Sequence, residues 1–392
     1  MWSRALGEVF PVFLRLGLTS FGGPVAHIGY FRSAFVERLR WLDEAAYADI
    51  VALCQFLPGP ASSQVGISLG LMRAGLPGAF FAWLGFTVPS AIAMIVFAYE
   101  VEQLRDVAGS GWLHGLKIVA VAVVAQAVWS MARSLCPDWP RKGFALAVAA
   151  FMLVAPTTLG QIAAIAAGAA VGSLLLKRTF REASAIHVNI GKTLSLSALA
   201  VFFLLLALLP LAALASGSHV LALFDSFYRS GSLVFGGGHV VLPLLQASVV
   251  PQGWIGNDDF LAGYGAAQAV PGPLLTFAAY LGAAMNPTPN GWLGGLICLV
   301  AIFLPSFLLV VGALPLWTKL RANPAMQSAL MGINAAVVGL LLAALYNPVW
   351  TNAIFTHMDF ALAVAAFVLL VFLRAPPWAV VILGAAATGF SG

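Results

Sequence analysis

Long apolar runs, cut by glycine and proline rather than by charge, set the pattern of this chain. The run "TLSLSALAVFFLLLALLPLAALA" (193–215) exceeds the roughly 20 apolar residues that carry a helix across a bilayer. Before it, apolar segments fall near 5–36, 45–72, 76–100, 112–134, 143–158 and 160–176. The pattern predicts an all-α polytopic membrane protein. Two kinds of break interrupt it, "TSFGGPVAH" (19–27) with its echo "LVFGGGHVV" (233–241), and the Pro-Gly-Pro turns at 58–60 and 271–273. A break inside a bilayer frees backbone N–H and C=O groups that no water satisfies, so it needs a partner or a purpose. The pieces flanking Pro58-Gly59-Pro60 are about 12 residues each, too short to span at a rise of 1.5 Å per residue, and read as re-entrant half-helices.

The breaks recur in order. Phe13, Arg15, Gly17 and Phe21-Gly22-Gly23 align with Phe227, Arg229, Gly231 and Phe235-Gly236-Gly237. Trp41 and Gln55 align with Trp254 and Gln268, the two Pro-Gly-Pro turns with each other, and Pro89-Ser90 with Pro305-Ser306. The chain therefore reads as a first repeat over 1–192, including a basic loop, a linking helix over 193–219, and a second repeat over 220–392. One extra span between the halves predicts that the second is inserted upside down. Charge agrees, since Lys and Arg collect in cytoplasmic loops. The loop near 32–44 has Arg32, Arg38 and Arg40, whereas its counterpart 247–259 has Asp258 and Asp259 and no Lys or Arg. Loops 135–142, 177–192 and 316–324 are basic as well, which places them and the N-terminus inside and the C-terminus outside.

Composition narrows the function. Of 392 residues, 61% are hydrophobic and 8% charged, far below the roughly 25% charged residues of soluble domains. The net charge of +5 lies in short loops without interleaved aromatics, so nucleic acid is not an expected partner. The N-terminus "MWSRALGEVFPVF" does not read as a cleavable signal, because Glu8 and Pro11 interrupt it. Cys54, Cys136 and Cys298 are too dispersed for a disulfide framework or a metal site. No nucleotide-binding, flavin or nicotinamide fingerprint appears, so no cofactor is expected and an enzyme, such as an intramembrane reductase, is disfavoured.

Inverted repeats with matched broken helices point to a secondary transporter with its site at the repeat interface. New helix N-termini at the breaks present free amides and a partial positive charge, an anion site. The candidate binding residues are Gly22, Gly23, Pro58, Gly59, Gly236, Gly237 and Gly272 at the breaks, with Ser62, Ser63 and Thr276 just past the turns. Gln55 and Gln268 precede the turns; His239 is a further donor. Arg15 and Arg229 suit bidentate binding of a tetrahedral oxyanion, against the alternative that they snorkel to an interface. His27 and Asp49 are candidates for proton coupling. Asp225, four residues before Arg229, reads as its local partner. The residues alone thus lead to a small-oxyanion transporter, with an anion channel of the same fold as the alternative.

The stretches "FLRLGLTSFGGPVAHI", "FLPGPASSQ", "FGGGHVVLPLL" and "AVPGPLLTFAAYLG" resemble the chromate ion transporter family in its long, two-domain form. The resemblance spans nearly the whole chain. It implies export of chromate from the bacterial cytoplasm, chromate resistance, an inner-membrane location and antiparallel halves. Sulfate, a structural analogue, is an alternative substrate, and a second copy of the chain is a candidate partner.

Overall fold

The computed structural model describes residues 2–108, 111–176, 190–235, 237–317 and 323–389, and their regular structure is all helical. The first repeat contributes α1 (Trp2–Thr19), α2 (Gly23–Arg32, continued by a π turn Ser33–Arg38), α3 (Glu44–Phe56) and α4 (Ala61–Ala108). After these come α5 (Gly111–Leu135), α6 (Trp139–Val154) and α7 (Thr158–Leu175). The linking helix is α8 (Lys192–Ser216). The second repeat has α9 (His219–Ser232), α10 (Val241–Val249), α11 (Asn257–Ala267), α12 (Phe277–Ala284), α13 (Gly291–Ala313), α14 (Pro324–Ala344), α15 (His357–Val371) and α16 (Pro377–Gly389). Among the described residues, six stretches are long and apolar enough to cross a membrane.

Local chemistry explains the boundaries. α4 is broken at Ala74 (φ −145°) and Gly75 (φ +64°), which separates a short arm, 61–73, from a long one, 76–108. The short arm and α3 are the two half-helices expected around the first Pro-Gly-Pro turn. α6 begins four residues before the expected 143 because Asp138 caps it, its Oδ1 accepting from the Arg141 amide at 3.0 Å, and Pro140 suits a first turn. The Arg141 guanidinium, hydrogen-bonded to the same carboxylate at 2.8 Å, holds the Asp138 carboxyl below its usual range. α8 ends at Gly217 in a left-handed cap, and its outer face (Phe203, Leu208, Leu211, Leu214) stays exposed, as lipid contact requires. The basic stretches expected at 177–189 and 318–322 lie outside the described residues.

The halves interlock by packing helices of one repeat against helices of the other. α5 of the first repeat packs against α15 and α16 of the second, and α14 of the second packs against α6 and α7 of the first. Small residues allow both contacts. A Cβ on Gly111 would stand 2.6 Å from the Thr388 carbonyl oxygen, and one on Gly115 would strike the Gly384 carbonyl. In the mirrored contact, Gly168 faces the Gly332 carbonyl at 2.7 Å and Gly172 would strike that of Ser328. These are the small-residue crossings that bring membrane helices together. The end of α5 (Ser130, Ser134) and the start of α14 (Gln327, Leu330) line one cavity, so these equivalent helices run in opposite directions.

Candidate functional site

The two kinds of break meet, but across the repeats rather than within them. The Gly59 amide of the first Pro-Gly-Pro turn donates to the Val234 carbonyl, 2.6 Å away and just ahead of the second repeat's glycine break. The Gly272 amide of the second turn donates to the Ser20 carbonyl at 2.8 Å, just ahead of the first repeat's glycine break. Backbone groups freed by one break are thus satisfied by the other. Only glycine fits. Gly59 has φ +127° and Gly272 φ +93°, and a Cβ on Gly59 would stand 2.9 Å from Ser306 Oγ. One on Gly272 would stand 2.6 Å from Ser90 Oγ. Each turn therefore rests on the serine that follows the helix proline of the opposite repeat.

Polar side chains surround these crossings. His27 is buried, with Nε2 3.2 Å from the Ser20 carbonyl and Nδ1 3.4 Å from Ser62 Oγ. A carbonyl only accepts, so Nε2 carries the proton, and Nδ1 accepts from Ser62. His239 lies 2.8 Å from the buried Tyr264 hydroxyl through Nδ1. Gln64 donates to the Pro58 carbonyl at 2.6 Å and bridges the ends of the turn. Thr276 Oγ1 donates to the Pro273 carbonyl at 2.9 Å, and Gln268 Nε2 to that of Tyr264 at 3.4 Å. The hydroxyls of Ser20, Ser63, Thr87 and Ser306 and Oε1 of Gln64 are buried without a hydrogen-bond partner in the protein. Unpaired polar atoms of this kind are costly in an apolar interior and mark a place where a polar guest or water belongs.

A cavity of about 720 Å³ leads to the Gly59 crossing from one end of the molecule. Gln55, Gly59 and Ala61 line it from the first repeat and Gly237 from the second. Its walls add Ser130 and Ser134 of α5 and Gln327 and Asn334 of α14; Phe56 and Trp317 pack edge to face at 5.4 Å beside it. None of the described lining residues is charged. Ala61 opens α4, so the first amides of that helix, which lack partners within it, lie beside the cavity.

The sequence-derived residues thus divide. Gln55, Gly59 and Gly237 line the cavity, and Pro58, Ser62 and Ser63 neighbour lining residues Gly59 and Ala61 in the chain without lining it themselves. Gly272, Thr276, Gln268, Gly22 and Gly23 belong to the opposite crossing, and Asp49 is buried on α3. Gly236 lies outside the described residues. Neither arginine is placed at a crossing. Arg15 is exposed on α1, and Arg229 is ion-paired with Asp225 one turn earlier, the pair its spacing predicts. Asp225→Ala strands a guanidinium that is 23% exposed. The expected cost is about 2 kcal/mol, below the roughly 3–5 kcal/mol of a fully buried pair. Thermal unfolding in detergent measures it, and removing Arg229 as well should restore part of the loss. Sequence reading missed Gln64, Ser90, Ser306 and Tyr264; the repeated Pro-Ser pair was the available signal for the two serines.

A family model described as "Chromate transporter" matches residues 7–173 and again 221–390. The chain belongs to the chromate transporter family. Both crossings fall inside the matched stretches, and the linking helix α8 falls between them. The chain is 28% identical to the "Chromate transport protein" of Pseudomonas aeruginosa, over 85% of this chain and 79% of that one. It is 27% identical to the "Probable chromate transport protein" of Synechococcus elongatus, over 87% and 84%. A "Chromate transport protein" of Cupriavidus metallidurans is 26% identical over 86% and 81%. No solved structure matches the chain. Membership in the chromate transporter family makes the chain a transporter, and its long apolar helices make it a multi-pass membrane protein.

Proposed function

We propose that this protein carries chromate outward across the bacterial inner membrane and so confers chromate resistance. The observation that carries this reading is the cavity that ends at the Gly59 crossing and the start of α4. A tetrahedral dianion placed there lies beside the start of α4 at Ala61, the side chain of Gln55, and backbone held open by Gly59 and Gly237. Neutral donors and the positive end of a helix dipole suffice for such an anion. A wall without charge also lets it leave, because no buried ion pair has to be broken.

Direction rests on charge. Arg133, Arg141 and Lys142 stand at or beside the α5–α6 turn, next in the chain to cavity-lining Ser134 and Leu135, and Arg32, Arg38 and Arg40 flank the turn into α3. The positive-inside tendency makes this the cytoplasmic end, with the N-terminus inside and the C-terminus periplasmic. A negative-inside potential then drives a dianion outward at about 2.3 kcal/mol per charge per 100 mV.

The test is flux of labelled chromate from proteoliposomes at a set potential, with sulfate as competitor. Potential-driven chromate flux that sulfate competes weakly supports a dedicated chromate carrier; sulfate flux of equal or greater size makes it a general oxyanion transporter. No chromate flux from correctly folded protein overturns the proposal. In the same assay Gln55→Leu should raise half-saturation by chromate about tenfold, the loss expected when about 1.4 kcal/mol of hydrogen bonding to a charged ligand is removed.

A further inference from the structure

Helix pairs that align between the two repeats are not arranged alike. At the end of the molecule away from the cavity, α11 lies tightly along α5. A Cβ on Gly265 would stand 2.5 Å from the Leu116 carbonyl oxygen. Next to it, Lys117 Nζ, almost fully buried, reaches Asp258 Oδ1 at 2.8 Å and lies 5.8 Å from the centre of the Phe355 ring. One turn away His114 Nε2 meets Asp359 Oδ1 at 2.9 Å, and its ring stacks on Phe355.

The equivalent pair is α3 and α14. The crossing glycines Gly115 and Gly332 align, which places Lys117 on Asn334 and Leu116 on Ile333; the Gln55–Gln268 register places Gly265 on Ala52 and Asp258 on Ala45. Ala52 and Asn334 both line the cavity, from α3 and α14 respectively. Ala52 is small enough to approach α14, although its Cβ keeps the helices further apart than Gly265 keeps α11 from α5. The ion pair has no counterpart here, since Ala45 and Asn334 stand in the places of Asp258 and Lys117.

We propose that the structure is the inward-open state of an alternating carrier and that Lys117–Asp258 is the latch that holds its outer half shut. In the outward-open state α3 closes on α14 through Ala52, α11 leaves α5, and Lys117 comes to line the outer cavity. A single ionic contact on one side of a near-symmetric molecule biases it toward the inward-open form at rest. This inference rests on the carrier reading above, but its test needs neither chromate nor flux.

Two reporters, Ala52→Cys inside and Ala266→Cys outside, are placed separately in protein whose Cys54, Cys136 and Cys298 are replaced by alanine. Labelling by a charged maleimide is then followed in lipid nanodiscs. With the latch intact, the inner reporter should react fast and the outer one slowly. Lys117→Gln should speed the outer reporter about tenfold, as expected if it populates a state previously below about 10%, and should slow the inner one. Asp258→Asn, a change at an exposed carboxylate, should do the same. Unchanged rates in both variants overturn the latch. Faster labelling outside with no slowing inside overturns the exchange and describes a chain merely loosened or open at both ends. Reciprocal labelling in protein that moves no chromate would keep the latch and sink the substrate instead.

Discussion

Alanine at Gly59 or at Gly272 is expected to lower anion flux at least tenfold while leaving the protein inserted in the membrane. Two costs coincide at each site. The backbone sits at φ +127° or +93°, where a side chain is strained by about 1–3 kcal/mol. The added Cβ also meets close, hydrogen-bonded or packed neighbours that have to shift to admit it. At Gly59 it strikes the Gln64 side chain, which is itself bonded to the Pro58 carbonyl, and presses on Ser306 Oγ at 2.9 Å. At Gly272 it presses on Ser90 Oγ at 2.6 Å and the Phe86 carbonyl oxygen at 3.1 Å. Relief requires the turn to lift from the opposite repeat, which breaks its bond to Val234 or Ser20. About 1.4 kcal/mol is tenfold in any equilibrium that governs transport, so strain alone accounts for the expected loss. Flux per correctly inserted molecule checks it, and normal flux from both variants would remove the crossings from the transport path. Ser306→Ala in the Gly59→Ala background frees space beside the new methyl and should recover part of the activity.

Gly332→Val is expected to destabilise the whole bundle rather than the transport step. A Cβ there strikes the Gly168 carbonyl and stands 2.7 Å from the Gly172 amide nitrogen. All these atoms are backbone, so no side-chain rotation relieves them. α7 and α14 must separate along the contact that fastens the second repeat to the first. Overpacking of a core costs about 1–3 kcal/mol, and a backbone clash with a branched residue belongs at or above the top of that range. Thermal unfolding and the yield of monodisperse protein measure the effect. Gly143→Ala on α6 is the control, because nothing lies within 4 Å of its new methyl. It should be neutral or stabilising by up to about 1 kcal/mol.

The breaks were legible in the sequence because glycine and proline leave few conformations to choose from, and their repetition at matched positions exposed the duplication. Which break bonds to which was not legible. The Gly59–Val234 and Gly272–Ser20 bonds join residues whose sequence neighbourhoods carry no mark of each other, and only the packing of one repeat on the other brings them together. The arginines show a different limit. A charge in an apolar run draws attention by its desolvation cost, but the helix face decides where it goes. Arg15 and Gly17 lie roughly 200° apart around α1. Gly17 faces the long arm of α4, with a Cβ there 2.8 Å from the Phe86 carbonyl oxygen, and so Arg15 points away from it. Conversely, Gln327, Asn334 and Ser130 line the cavity although nothing in their surroundings sets them apart from polar residues scattered in other helices.

The exchange of helices between the repeats bears on how the chain is made. α7 is complete at the ribosome when the glycine face that will cover it, on α14, is still about 160 residues from synthesis, roughly 10–30 s at about 5–20 residues per second. Through that interval Gly168 and Gly172 present a bare backbone groove to whatever lies beside them in the bilayer. α5 waits longer, since α16 is the last of the described helices. Neither repeat closes its own surface during translation, so the nascent first half is a ready docking partner for the wrong helix. Newly inserted first halves therefore need either a membrane chaperone or enough dilution in the bilayer to survive until their own second half arrives.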